Sequence, residues 1–517
     1  MGRKKSSPVK KAVTTTVVKK GDVPPPDDGD VAAAAGPPSS LGGLGRLPLV
    51  LAVLAVAAAA LGPSLLSSYG GRSIPEAILE PVQEGRREAE LDPVPADAAS
   101  GDTAAPPKFG LAPAACDYDT LSQFLHDVPV RGMHLVCFGG DEAATSLRLF
   151  WGMHNTTLDY TIEDPAANPD REGVHGAAHR LPSYWESVRD SLEHNLQLEP
   201  PGPMKLPYAL FTTRGERILG PSDVVGADGR DEAGDDVVAK LRQAGVVLIM
   251  GGGSWTWPGV RVGFKREIEL YSVMPGEERA GPSEEDLAMT RKATVETLSL
   301  VPLVVSISNF IADDECDWIQ EAAISSIQYS GVVLMDKDKG KKSSEWRTSQ
   351  STFLHATAQT EVLLDIERRT ASLTRIPRSY QEDTQVLRYG MDEKYDAHHD
   401  FFNPELYQGS PSTLDLIQNG RVNRHCTVFW YLSDVEEGGE TVFPRAGGAP
   451  QPHDFKDCTK GLLVKPEKGK VIIFYDLYPS GEMDEFSLHG GCPVKEGVKW
   501  AANKWVWNDS RSYVSNL

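Results

Sequence analysis

Cysteine is scarce in this sequence: six residues, at positions 116, 137, 316, 426, 458 and 492 of 517, with no C-x-x-C pair among them. That excludes a disulfide-dense scaffold and offers no zinc spacing, while leaving room for one or two bridges in an oxidising compartment. A basic excess is missing as well. The formal net charge is −21, and nucleic acid is held by basic surfaces, so no nucleic-acid partner is expected. Phosphate-loop chemistry is absent: the glycine-rich stretch GGGSWTWPGV (251–260) lacks G-K-[ST], and no helical pattern follows it. It reads as a tight turn with two tryptophans packed against a sheet. Histidine is sparse, with 12 in the chain, which makes two in adjacent positions conspicuous.

The chain is too long for one hydrophobic core, so two or three domains plus linkers are expected. Residues 1–46 begin with MGRKKSSPVKKAVTTTVVKK, which has seven Lys/Arg and no acid, followed by a Pro/Asp/Ala/Gly stretch. Such a composition cannot bury a core and predicts a disordered basic tail. The run LPLVLAVLAVAAAALGPSLL (47–66) is uncharged and has the ~20 residues that span a bilayer. It reads as a signal anchor, with the basic tail cytosolic and the rest lumenal. A cleaved signal peptide and an organelle transit segment are the alternatives; the 46-residue polar leader is far longer than a signal peptide's charged start. The expected location is therefore the endoplasmic reticulum or Golgi membrane, single-pass type II. Two sequons, at Asn155 and Asn508, would both be lumenal, predicting a glycoprotein. Residues 67–108, rich in Pro, Ala and acidic residues, read as a stalk.

From about residue 109, strand patterns (MHLVCFGG, GVVLIMGGG) alternate with helical ones (SYWESVRDSLEHNL, DDVVAKLRQAG), predicting a small α/β domain over 109–290. No chemistry is legible in it. A polar segment leads into residues 295–517. There LVPLVVSISNFI reads as a strand, and ADDECDWIQEAAISSI and TEVLLDIERRTASLT as helices. TQVLRYG, HCTVFWYLS, GLLVKP, KVIIFYDL and KWAANKWVW follow as short strands parted by turns. That spacing predicts a β-sandwich or barrel.

YDAHHDFF (395–402) holds the adjacent histidines. In an extended segment His398 and Asp400 share a face and His399 points away. An imidazole and a carboxylate on one face are two of the three groups of an iron facial triad; the bland alternative is a solvent-facing polar strand end. SLHGGCPVKEGVKWAANKW (487–505) supplies His489 as a candidate third ligand and Lys499 ten residues on. A lysine among apolar and aromatic residues is costly unless it meets an anion, although a turn histidine and a snorkelling lysine remain open readings.

TQVLRYGMDEKYDAHHDFF, VFWYLSDVEEGGETVFP, GLLVKPEKGKVIIFYDL and SLHGGCPVKEGVKWAANKW resemble the catalytic domain of prolyl 4-hydroxylases, iron(II)/2-oxoglutarate dioxygenases. NFIADDECDWI and RTSQSTFLH resemble that family's lead-in segments, and the resemblance runs in order through roughly residues 300–510. It implies an overall α+β fold: a C-terminal double-stranded β-helix (jelly roll) with flanking helices, preceded by the small α/β domain and the transmembrane helix. It implies that His398, Asp400 and His489 hold iron, with His399 not a ligand, and that Lys499 pairs with the far carboxylate of 2-oxoglutarate. Tyr389, Thr441 and Trp505 match positions lining that pocket. Arg347, Ser349, Glu382, Tyr395 and Arg424 match peptide-facing positions. Iron(II), 2-oxoglutarate, dioxygen and L-ascorbate are the implied cofactors, and a proline-containing peptide or protein is the implied partner. The implied reaction hydroxylates proline at C4 while 2-oxoglutarate becomes succinate and carbon dioxide. A target other than proline, such as lysine or a small molecule, and a non-catalytic peptide-binding module are the rival readings. Two departures stand out: Asp392-Glu393 replaces the family's usual Gly-Gln, and residues 403–422 are longer than usual. Cys458 and Cys492 flank strands that adjoin in a jelly roll, which makes them the expected disulfide.

Overall fold

A computed structural model describes residues 116–150, 157–164, 183–198, 206–219, 234–270, 291–357 and 359–511. The tail, apolar run and stalk expected over 1–108 lie outside the described residues, as does the Asn155 sequon. No described helix is long and apolar enough to cross a membrane.

The N-terminal segment contains β1 (Met133–Gly140), β2 (Ala144–Phe150), β3 (Thr157–Glu163), α1 (Tyr184–Leu196), β4 (Ala209–Thr212), β5 (Arg217–Leu219), α2 (Gly234–Ala244) and β6 (Val246–Met250). Helix α1 starts at a capping box: Ser183 Oγ accepts from Glu186 N, and the Glu186 carboxylate accepts from Ser183 N. Tyr184, Trp185, Val188, Leu192 and Leu196 form its buried stripe. The strands form one sheet in the order β3-β2-β1-β6-β4-β5. Every pairing in it is antiparallel, so the alternating strand and helix patterns do not build the parallel crossovers typical of α/β units. Strand β6 is apolar throughout because both its faces are covered. Val247 and Ile249 pack on the helix side, and Val246, Leu248 and Met250 on the other. A disulfide joins Cys116 to Cys137 of β1.

The C-terminal segment follows with β7 (Lys265–Leu270), β8 (Arg291–Leu300), β9 (Leu303–Ser308), α3 (Asp313–Ile324), β10 (Gln328–Tyr329), β11 (Gln350–Leu354), α4 (Glu361–Thr374), β12 (Thr384–Tyr389), β13 (Tyr395–His398), α5 (Pro411–Leu416), β14 (Arg424–Tyr431), β15 (Glu437–Gly438), β16 (Thr441–Phe443), β17 (Leu462–Val464), β18 (Val471–Tyr475), β19 (His489–Gly491), β20 (Val494–Glu496) and β21 (Lys499–Trp507). A nine-stranded sheet runs β10-β11-β12-β21-β14-β18-β9-β8-β7, and a four-stranded sheet runs β13-β19-β16-β17. Strands β15 and β20 pair separately. From β12 to β21 the chain passes back and forth between the two larger sheets, which is the jelly-roll winding expected.

Alternation along the strands decides what faces the space between the sheets. Leu387, Tyr389, Phe429, Tyr431, Ile472, Phe474 and Ala501 pack together on the inner side. Their neighbours Val386, Val428, Trp430, Val471, Ile473 and Ala502 join the outer core. That outer core also holds Trp255, Trp257, Leu248 and Met250 of the N-terminal segment. Trp257 N donates to Tyr475 Oη at 3.0 Å, and Trp257 Nε1 to Leu373 O at 2.7 Å. The two tryptophans are packed against a sheet as expected, but against the large one. The expected boundary near residue 290 is thus crossed twice: by this shared core, and by β7, which pairs with β8 along its length. Residues 101–517 form one compact unit.

Asp392 sits at φ 59, a left-handed position that aspartate tolerates better than most residues. Residues 403–422 fold into a small cap whose Tyr407, Ile417 and Val422 cluster with Phe402 and Trp507. Cys458 and Cys492 are disulfide-bonded, with Cα atoms 6.0 Å apart. The Asn508 side chain of the second sequon is buried, with Oδ1 accepting from Asn423 N at 2.9 Å.

Candidate active site

His398 closes β13, and His489 opens β19 directly across from it. Strand β13 ends at His398, so Asp400 is carried by the bend that follows, yet it still returns to the same point. Each imidazole is fixed in the same way. His398 Nδ1 bonds Asp396 O and His489 Nδ1 bonds Ser487 O, both at 2.9 Å, which leaves both Nε2 atoms facing Asp400. His398 Nε2 lies 3.6 Å from Asp400 Oδ1, and His489 Nε2 lies 3.6 Å from Asp400 Oδ2. One donor atom from each of the three residues falls within a 4.8 Å group, a metal-ligand spacing. The donor set of two imidazoles and one carboxylate suits ferrous iron. Burial pulls the His489 pKa down to about 4, so its ring is neutral and able to ligate at neutral pH. Burial opposes ionisation of Asp400, but His489, His398 and Arg424 outweigh it and hold the carboxyl well below the usual carboxylate range.

His399 turns away. Its Nε2 meets Glu485 O at 3.0 Å, and its ring stacks on Phe401. The aromatic faces around the triad are close: Tyr395 stacks on His398 with ring centres 3.6 Å apart, and Phe474 lies 4.3 Å from His489.

The triad lines a cavity of about 440 Å³ that also reaches Lys499. Lys499 is 1 % exposed, its Nζ 5.2–5.5 Å from the ring centres of Tyr389, Phe429 and Tyr431. It has no ion pair among the described residues. Burial brings its pKa down to about 7, which Glu440 only partly opposes. A buried ammonium without an anion marks a site for one, and the far carboxylate of 2-oxoglutarate has the charge to fill it. The residues present therefore fit both iron and the oxo acid. Thr441 also lines the cavity; its Oγ1 accepts from Tyr431 Oη at 2.7 Å, which leaves its own proton free to donate.

A model of the 2OG-Fe(II) oxygenase superfamily matches residues 384–507. Probable prolyl 4-hydroxylase 9 of Arabidopsis thaliana is 39% identical over 214 residues, covering 41% of this chain and 70% of its own. Prolyl 4-hydroxylase 5 of the same plant is 40% identical over 216 residues, covering 41% and 70%. The chain belongs to the prolyl 4-hydroxylase family. A crystal structure of a viral collagen prolyl hydroxylase from Paramecium bursaria Chlorella virus-1, with 2OG, matches at 27% identity over 40% of this chain and 95% of its own, with a TM-score of 0.28.

For this prolyl 4-hydroxylase relative, the residues expected to face a peptide divide into two groups. Arg347, Tyr395 and Arg424 line the cavity, whereas Ser349 and Glu382 do not. Ser349 is buried, accepts from Arg347 Nε at 2.9 Å and shares a hydrogen bond with Ser330 Oγ at 3.2 Å, so it supports the wall from behind. Glu382 accepts from Arg424 Nε at 2.8 Å and from Trp507 Nε1 at 2.7 Å. It pins Arg424, whose guanidinium lies 3.7 Å from the Trp505 ring centre and donates to Asp400 O at 3.2 Å. Both residues are turned inward because their side chains satisfy buried donors. Trp505 lines the cavity as expected and has a second contact that sequence did not suggest: its Nε1 donates to Asp400 Oδ2 at 2.9 Å. Thr427 and Asp476, behind Asp400, were also missed. Their positions on the inner alternation of β14 and just past β18 were the available signal.

Proposed function

We propose that this chain hydroxylates peptidyl proline at C4 in proteins of the secretory pathway, converting 2-oxoglutarate to succinate and carbon dioxide. The observation that carries this reading is a single cavity holding the His398-Asp400-His489 triad, with Asp400 and His489 buried, together with a buried lysine that has no ion pair among the described residues. Iron(II), bound with 2-oxoglutarate and dioxygen, supplies the oxidant that places one oxygen atom on the substrate carbon and the other in succinate.

The side chains have separable tasks. His398, Asp400 and His489 hold the metal through three protein donors, which leaves further positions for exchangeable ligands. Lys499 and the Thr441 hydroxyl hold the far carboxylate of the oxo acid, and the rings of Tyr389, Phe429 and Tyr431 keep water from it. Arg347 is buried and its Nη2 has no hydrogen-bond partner among the described residues. Its guanidinium lies 4.7 Å from the Tyr395 ring centre, and in this reading Nη2 donates to a carbonyl of the peptide. L-ascorbate serves as the reductant that keeps the iron ferrous.

In the same reading residues 47–66 anchor the enzyme in the endoplasmic reticulum or Golgi membrane with the catalytic part lumenal. The two disulfides support an oxidising setting. Alkaline carbonate that releases the intact protein from membranes would count against the anchor.

The reaction is tested with the full-length protein, iron(II), L-ascorbate, 2-oxoglutarate and a proline-rich peptide, read by peptide mass spectrometry. A gain of one oxygen on proline supports the proposal. The same gain on lysine replaces the target, and succinate without any modified peptide removes the peptide substrate from the reading.

A further inference from the structure

Behind the triad a second carboxyl group approaches the first through one hydroxyl. Thr427 Oγ1 lies 2.7 Å from Asp400 Oδ2 and 3.2 Å from Asp476 Oδ2. Asp476 is 0% exposed and Asp400 6%. A threonine hydroxyl has one proton to donate. If both carboxyl groups were ionised, one of the two contacts would set a lone pair against a negative oxygen. The shorter contact, to Asp400, takes the threonine proton, so the longer one requires a proton on Asp476. The rest of the Asp476 environment agrees, since Oδ1 is buried without a hydrogen-bond partner among the described residues. An ionised carboxylate so placed is far costlier than a neutral acid.

We propose that Asp476 is a positioning residue for the metal centre: as a neutral acid it donates to Thr427 Oγ1, which turns the Thr427 hydroxyl onto Asp400 Oδ2. Together with Trp505 Nε1 at 2.9 Å, this gives Oδ2 two donors and leaves Oδ1 as the oxygen free for the metal. Asp476 touches neither metal nor substrate and acts only through Thr427 and Asp400. The inference rests on the reading of Asp400 as a metal ligand.

The test titrates cobalt(II) into the full-length protein and reads affinity together with the ligand-field spectrum, so it does not depend on turnover. Asp476→Asn keeps a donor and no charge, and is expected to retain the wild-type spectrum and affinity. Asp476→Leu removes the donor and is expected to weaken cobalt(II) binding roughly 10- to 100-fold and to change the spectrum, as for other lost outer partners of a metal ligand. Thr427→Val breaks the chain at its middle link and is expected to match Asp476→Leu, with no further loss in the double variant. Should Asp476→Leu not fold, the comparison of Thr427→Val with Thr427→Ser tests the same chain. An Asp476→Asn protein as weak as Asp476→Leu would overturn the neutral-donor role, and an Asp476→Leu protein equal to wild type would overturn positioning altogether. Wild-type protein that takes up no cobalt(II) would instead overturn the metal-centre reading beneath it.

Discussion

His398 and His489 stand opposite each other across the β13–β19 pair, and each has its Nδ1 tied at 2.9 Å to the carbonyl two residues before it. Two strands far apart in sequence thus present imidazoles of one tautomer, with Nε2 toward a shared point. The Cys458–Cys492 bridge holds the loop whose Phe455 O accepts from Ala397 N at 2.8 Å, which ties β13 and the end of β19 to one support.

Replacing His398, Asp400 or His489 by alanine is expected to abolish turnover and iron(II) retention, because each leaves only two of the three donors. His399→Ala is expected to keep iron, since His399 bonds Glu485 O and not the triad. Metal content after dialysis and succinate release check both. A His398→Ala protein that turns over at the wild-type rate would remove His398 from the ligand set.

Lys499→Ala is expected to act on the cosubstrate. Removing one partner of a buried charge pair costs ~3 kcal/mol or more, about a 150-fold rise in KM for 2-oxoglutarate, with metal content unchanged. Steady-state kinetics with varied 2-oxoglutarate measures it. A kcat loss with KM unchanged would place Lys499 elsewhere in the reaction.

The same residue sets a pH dependence. With a pKa lowered to about 7 in the free enzyme, Lys499 is cationic below that pH and increasingly neutral above it. Only the cation pairs with the carboxylate, so KM for 2-oxoglutarate is expected to rise as pH passes through about 7, with a slope approaching ~10-fold per pH unit. Lys499→Arg stays charged throughout and should flatten that rise, although its bulk raises KM at every pH. A flat wild-type profile between pH values either side of 7 would rule out the lysine as the titrating group.

A fragment limited to residues 295–517 cuts β8 and strips Trp255 and Trp257 from the outer face of the large sheet. Each large buried apolar side chain contributes ~1.5–3 kcal/mol, and Tyr475 and Leu373 would lose hydrogen bonds to Trp257. The fragment is expected to be markedly less stable than residues 101–517, which urea unfolding of the two would measure. Equal midpoints would show that the N-terminal segment is a separable domain.

Much of the site could be read from local pattern. A period of two placed His398 and Asp400 together and His399 apart, and in the observed strand β21 the same period puts Lys499 and Lys504 on opposite faces. What each lysine meets across its face depends on residues far away in sequence. Lys504 finds Glu367 of α4 as an ion-pair partner, while Lys499 finds three aromatic rings and no ion pair among the described residues. The same holds for Glu382 and Ser349, which lie just before β12 and β11 but spend their polar atoms on Arg424, Trp507, Arg347 and Ser330. Sequence also left β8 hidden. Its buried positions include Ala293, Thr297 and Ser299, too polar or small to mark a strand, and pairing with β7 and β9 is what makes it one. By itself, then, the sequence determined which residue types carry the chemistry and which side of each strand they occupy, because that information is periodic and local. Only the tertiary structure decided which of them remain unpaired in a cavity, because burial and hydrogen-bond satisfaction depend on partners that the chain brings together from far apart.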